Sequence, residues 1–201
     1  MNKEQKKIAQ ELLRLAYEVK PDTELPASIM AAQAILETGW LRKIPIDDTE
    51  DNMGKLSYNI LGIKAVPEKG WVGSNGFVVC GTHEQEGGKN VFHPRGIFRA
   101  YNNYEECFRD YGVVIWNSMI NKKVLGVKTP FKERRYKKAL EHRTEPSMYL
   151  FYLWKAGYAS DKNYVKKVWQ IAVQCKYLKS REYKDLIKAY AGLSVPSVNG
   201  L

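Results

Sequence analysis

The stretch Pro26–Trp40, PASIMAAQAILETGW, decides how the rest of the chain is read. Pro26 suits the first turn of a helix, where its missing N–H would have no partner in any case. From Ala27 to Leu36 only Ser28 and Gln33 are polar. A helix this apolar on all sides belongs at the centre of a domain. Thr38-Gly39 supplies the stop. A single carboxylate, Glu37, then falls in the last turn of a buried helix. Partial desolvation and the negative end of the helix dipole both disfavour its charge. Both raise its pKa, as a general acid working near neutral pH requires. An ordinary solvated carboxylate at a helix end fits the same residues, and on this physics alone the two readings stand level.

Outward from this helix the chain is mostly helical. Ile8, Leu12, Leu15 and Val19 form the apolar stripe of an amphipathic helix over 3–19, which Pro21 ends. Residues 41–57 are acidic and aperiodic and read as a surface loop. Its cluster Asp47, Asp48, Glu50 and Asp51 lacks the glycine turn and closing glutamate of a calcium loop, so it reads as solvated. YNILGIKA (58–65) is a short apolar segment broken by Gly62. FVVC (77–80), a Gly87-Gly88 turn, NVF (90–92), Pro94 and GIFRAY (96–101) read as a small antiparallel sheet. Glu84 and Glu86 lie beside that turn, on a lobe able to fold over a cleft.

Helices then return. Asn103 and Glu106 resemble a capping box, and Tyr104, Cys107, Phe108, Tyr111, Val114, Ile115 and Met119 keep helical spacing to about 120. A basic helix is expected near 132–142, its Lys132, Arg134, Arg135, Lys137 and Lys138 reading as a solvated face. Pro146 opens an aromatic helix that Gly157 ends. Asp161 is the expected N-cap of a helix carrying Val165, Val168, Ala172 and Cys175 on one face. A last helix spans about 181–191. The expected fold class is mainly α (α+β): one domain over 1–192, a β-lobe at about 66–101, and a linker-like tail at 193–201.

The 201 residues suffice for one domain with a real core. A net charge of +10 implies a polyanionic partner: nucleic acid, an anionic membrane surface or the acidic polymers of a bacterial wall. With 13 Tyr and 5 Trp, some rings are expected to line a groove that suits sugars, bases or peptides. Cys80, Cys107 and Cys175 are odd in number and widely spaced, neither a disulfide framework nor a metal pattern. Cys107 and Cys175 read as buried free thiols. His83, His93 and His142 show no ligand spacing either, so no metal and no cofactor is expected. The start, MNKEQKKIAQELL, has no apolar h-region, and no run approaches transmembrane length. The expectation is a chain without membrane insertion and without its own export signal.

Four stretches standing in order, AQAILETGW, YNILGIKA, FRAYNNYEECFRDYG and AGYASDKNYVKKV, resemble the peptidoglycan-hydrolysing N-acetylglucosaminidases of glycoside hydrolase family 73. That group includes flagellar muramidase domains and Gram-positive autolysins, and the resemblance covers roughly 5–178. It implies a lysozyme-like helical domain with a β-lobe, acting on the cell wall as a monomer, and cleavage of the β-1,4 bond after N-acetylglucosamine. By this resemblance Glu37 matches the general acid. Asn59, Gly62, Ile63 and Lys64 match a motif bordering the cleft. Tyr158 and Tyr164, with Asp161 between them, match residues near the sugar subsite, and Trp40 is a further candidate sugar contact. Thr82-His83-Glu84 fits the segment holding the second carboxylate, which selects Glu84 over Glu86. The chain departs from the family pattern in a longer stretch between Trp40 and Tyr58 and in its Glu84-Gln85-Glu86 context.

Glycoside hydrolysis needs a proton donor on one face of the bond and a base or charge stabiliser on the other. Glu37 and Glu84 are assigned those functions, with attack by the substrate's own acetamido group as the other route. A lytic transglycosylase or muramidase on the same fold, and a non-catalytic wall- or nucleic-acid-binding module, are the competing readings. Delivery by secretion or by a phage is compatible with the chain.

Overall fold

Helix α3 (Ala27–Thr38) is the axis of the molecule, and every residue from Ala27 to Ile35 is buried. The computed structural model describes residues 1–86, 89–118 and 134–177, with the backbone alone for Glu84, Gln85, Glu86 and Asn90. Helix α1 (Lys3–Glu18) lays Ala9, Leu12, Leu15 and Ala16 against α3. Helices α6 (Pro146–Lys155) and α7 (Tyr164–Gln174) pack on it as well. The short α2 (Lys20–Thr23) and α4 (Tyr104–Asn117) complete one side, and α5 (Lys137–Glu141) packs on α6. Leu12, Ile29, Met30, Ile35, Phe108 and Trp169 are among the fully buried side chains of the main core.

The helix ends obey the sequence with adjustments. Pro26 is the N-cap of α3, with extended backbone (φ −69°, ψ 108°), one position before the expected first turn. Gly39 adopts φ 55° to close the helix, the left-handed conformation glycine reaches without strain. Pro21 falls in the first turn of α2, while α1 stops at Glu18. At the start of α1, Asn2 and Gln5 exchange backbone-to-side-chain hydrogen bonds of 2.8 and 3.0 Å, a capping box that hydrophobic spacing does not reveal. At α4 the box closes one residue early. Asn103 accepts from Glu106 N at 2.9 Å, and Glu106 accepts from Asn102 N at 3.0 Å.

The β-lobe is one long hairpin, β1 (Phe77–Glu86) antiparallel to β2 (Lys89–Arg99). Its Gly87-Gly88 connection lies outside the described residues. Cys80 pairs with Gly96 and Thr82 with His93, so Pro94 and Arg95 together oppose Gly81. This is a β-bulge, the place in a ladder where a residue without an N–H is tolerated.

Four expectations need correction. The acidic loop is not solvated throughout: Asp47 is 2% exposed, and its carboxylate accepts from Val79 N at 2.9 Å and Thr49 N at 3.0 Å. Asp48 accepts from Gly81 N at 3.0 Å, so two carboxylates pin this loop to β1. The basic stretch is not a single solvated helix. Helix α5 begins only at Lys137, Arg134 lies over the Trp116 ring at 5.0 Å, and Lys132 lies outside the described residues. Asp161 does not cap α7: the N-cap is Asn163, and Asp161 accepts from Asn163 N at 2.8 Å in the turn before it. Cys107 is buried as expected, while Cys175 is half-buried. Met119, the helix expected at 181–191 and the tail at 193–201 lie outside the described residues. Among the described residues no helix is long and apolar enough to cross a membrane.

Burial pushes the Asp47 carboxyl up, but the hydrogen bonds from Thr49 and Val79 outweigh it and hold its pKa below the usual value. A carboxylate bonded this way contributes stability above its unfolded pKa and loses it as the pH falls through the folded one. Asp47→Ala is expected to cost about 1–3 kcal/mol of unfolding free energy at neutral pH. Urea titrations check this, and the deficit should shrink as the pH drops below 3.8. An unchanged midpoint at neutral pH would contradict the anchoring role.

Candidate active site

Between the helical body and the β-lobe lies a groove of about 1030 Å³. Its walls come from the end of α3, the 61–66 segment, the second half of α4 and the 157–161 loop, and Glu37, Lys64, Tyr158, Asp161 and Tyr164 all line it. Five of the residues that the sequence singles out are thus brought together from distant parts of the chain.

Glu37 is reachable by solvent from the groove. The surrounding walls still remove much of the water from its carboxyl, and this desolvation pushes its pKa above the ordinary carboxylate range. The Tyr164 hydroxyl pulls in the opposite direction, donating to Glu37 Oε1 at 3.2 Å. Behind that bond stands a buried relay. Gln33 Nε2 donates to the Tyr164 hydroxyl at 2.9 Å, and the Tyr111 hydroxyl donates to Gln33 Oε1 at 3.0 Å. Gln33 is fully buried and lies one turn before Glu37 on the same face of α3. Since Oε1 takes the Tyr164 hydrogen and Oε2 has no protein partner among the described residues, Oε2 is the oxygen free to carry an acidic proton.

Tyr158 is the hub of an aromatic cluster, its ring centroid 6.0 Å from Tyr111, 6.2 Å from Tyr136 and 5.8 Å from Tyr164. Tyr111, Tyr136 and Tyr164 are buried, whereas Tyr158 is half-buried and keeps surface toward the groove. Burial pushes all four phenols up, so they remain neutral donors at any working pH.

Other candidates hold the site's frame. Asp161 binds Lys167 Nζ at 2.6 Å through one oxygen and Asn163 N through the other, and its backbone carbonyl accepts from Trp154 Nε1 at 3.0 Å. The Lys167 bond leads in holding its pKa low. Asn59 is 1% exposed, and its side chain bonds Ile63 N and O and Arg99 O at 2.8–3.0 Å. It does not line the groove; it shapes the turn at Gly62 (φ 63°) that presents Ile63 and Lys64 to it. Trp40 is half-buried against the core and is not among the groove residues. Glu84 pairs with Val91 in the outer half of the hairpin, and its side chain lies outside the described residues. Among the described residues, no group of three His, Cys, Asp or Glu side chains is placed to hold a metal ion.

The sequence reading left Gln33, Tyr111, Tyr136 and Arg135 without a role at this site. For Gln33 the signal was present: an amide on a helix that is apolar all round must find buried partners.

The family described as mannosyl-glycoprotein endo-beta-N-acetylglucosaminidase matches residues 13–177. The peptidoglycan hydrolase FlgJ of Pseudomonas aeruginosa is 32% identical over 163 residues, covering 81% of this chain and 35% of its own length. That of Vibrio cholerae is 29% identical over 167 residues, covering 83% and 41%. The chain therefore spans less than half the length of these curated relatives. Among solved structures, a peptidoglycan hydrolase mutant from Sphingomonas sp. A1 superimposes with a TM-score of 0.62 at 26% identity, covering 91% of this chain and 99% of that one. A C-terminally truncated glycoside hydrolase domain from Salmonella typhimurium FlgJ gives 0.60 at 27% identity, covering 87% and 99%. The helical body with its two-stranded lobe is the lysozyme-like architecture that the motifs imply.

Tyr164→Phe removes the one hydroxyl that stabilises the Glu37 carboxylate while leaving the desolvation in place. A carbon-13 carboxyl titration by NMR is expected to show the Glu37 pKa moving further up. A downward or absent shift would contradict the geometry.

Proposed function

The chain belongs to the glucosaminidase family, and from that premise we propose that it is a peptidoglycan hydrolase cutting the β-1,4 bond between N-acetylglucosamine and N-acetylmuramic acid. The observation that carries this reading is Glu37: a carboxyl of raised pKa lining the groove, one oxygen held by Tyr164 and the other without a partner among the described residues.

In the proposed reaction Glu37 transfers the Oε2 proton to the glycosidic oxygen as the bond from that oxygen to the anomeric carbon breaks. The developing positive charge on the sugar needs a partner on the opposite face. Glu84, on the hairpin, is proposed to take a proton from the attacking water, whose oxygen bonds to the anomeric carbon. If the acetamido oxygen of the substrate attacks first, Glu84 orients that group instead. Tyr158, partly buried and lining the groove, is the proposed sugar-contacting residue, and Lys64 a hydrogen-bond donor to the strand. Tyr164 is only 4% exposed and acts as a positioning residue for Glu37. Asn59 and Asp161 are proposed to serve substrate binding indirectly, through the loops they hold. The formal charge of +10 favours docking on an anionic wall.

A general acid must be protonated to act, so the rate should fall as the pH rises through the raised pKa of Glu37. Glu37→Gln should slow the clearing of purified wall suspensions by about 10²–10⁴-fold, the usual contribution of a positioned proton donor. Circular dichroism and co-sedimentation with walls should be unchanged. Undiminished clearing would remove Glu37 as the acid.

A further inference from the structure

Among the described residues four cationic side chains line the groove: Lys64, Arg99, Arg135 and Lys167. Lys167 is engaged by Asp161 at 2.6 Å. Arg99 holds both oxygens of Asp110 through Nη1, at 2.9 and 2.8 Å. Lys64 sits with Nζ 3.9 Å from the centre of the Phe98 ring. Arg135 is held differently. Its Nε donates to Ala156 O at 2.9 Å and its Nη2 to Gly157 O at 2.6 Å, while the guanidinium carbon lies 5.4 Å from the Tyr136 ring centre. Backbone carbonyls fix the plane of the fork without cancelling its charge. No carboxylate pairs with Arg135 among the described residues.

The seat of this guanidinium is built by the backbone. Gly157 has φ 81°, and a Cβ there would stand 2.8 Å from Arg135 Nη2. Glycine thus meets two demands at this position, a left-handed turn and the close approach of the fork. The Arg135 backbone is tied as well, its N–H donating to Ser118 O at 2.7 Å. A guanidinium has five N–H donors, and two are used, so the Nη1 edge and one Nη2 hydrogen are left for a ligand. A pre-oriented fork of this kind suits a planar carboxylate and donates two parallel hydrogen bonds to it.

We propose that Arg135 is a specificity residue that binds a carboxylate carried by the wall strand, on the lactyl group or stem peptide of a muramic residue seated in the groove. The assignment rests on the peptidoglycan reading above and extends it. Arg135 would distinguish acid-bearing wall from a neutral glycan of the same backbone, which the aromatic rings alone would not separate.

The test compares native walls with walls whose carboxyl groups have been coupled to ethanolamine. Binding is measured by co-sedimentation in a Glu37→Gln background, so it does not depend on turnover. Adding Arg135→Gln should weaken binding to native walls about ten-fold, as loss of a bidentate charged contact does, and leave binding to neutralised walls unchanged. Arg135→Lys, which keeps the charge and loses the fork, should fall between. Equal weakening on both walls, or none on either, would overturn the proposal. Failure of the hydrolase reading would show separately, as no release of reducing sugar from native walls by the unsubstituted protein.

Discussion

The side chain of Gln33 joins the stability of this fold to its candidate chemistry. A buried amide without partners costs about 1–3 kcal/mol, and Gln33 is completely enclosed. Its two ends are satisfied by hydroxyls from two other helices, Tyr111 on α4 and Tyr164 on α7. Those bonds tie α4 and α7 to α3 inside the apolar core. The same tyrosine then reaches Glu37, one turn further along α3. One hydrogen-bonded chain therefore links three packed helices to the Glu37 carboxyl.

What the sequence reveals and what it hides divide along contact distance. Helix α3 is legible because its signals are local: a proline at the start, a glycine at the end and an apolar run between. The hairpin is legible from its β-branched and aromatic runs, although the bulge that accommodates Pro94 is not. Asp47 looks solvated because its neighbours in sequence are acidic, and the partner that ties it to β1 is the N–H of Val79, 32 residues away. Gln33 and Tyr164 are 131 residues apart, so their bond has no local signature. Arg135 is hidden in the same way, since in a basic run nothing distinguishes the one guanidinium that a distant glycine seats. The four ordered motifs identify residues of the groove but not their division of labour. Asn59 and Asp161 hold the loops beside the groove, Tyr164 bonds the Glu37 carboxyl, and Tyr158 lines the groove with part of its surface.

Charge along the groove is unevenly distributed. At the end of α3 a carboxyl is kept short of water, which favours its protonated form. On the 157–161 side a guanidinium keeps its charge and its donors. The proposed proton donor and the proposed anion receptor, along one aromatic-lined groove, would together suit a strand that carries both a glycosidic linkage and carboxylates. The β-lobe, anchored by Asp47 and Asp48, reaches the groove at Arg99 and carries the strand that bears Glu84.

The central claim is water-dependent cleavage on the reducing side of N-acetylglucosamine, driven by the Glu37 proton. Mass spectrometry of borohydride-reduced fragments from digested, purified walls tests it most directly. The expected products end in reduced N-acetylglucosamine. Fragments ending in 1,6-anhydro-muramic acid, or in reduced N-acetylmuramic acid, would contradict the account.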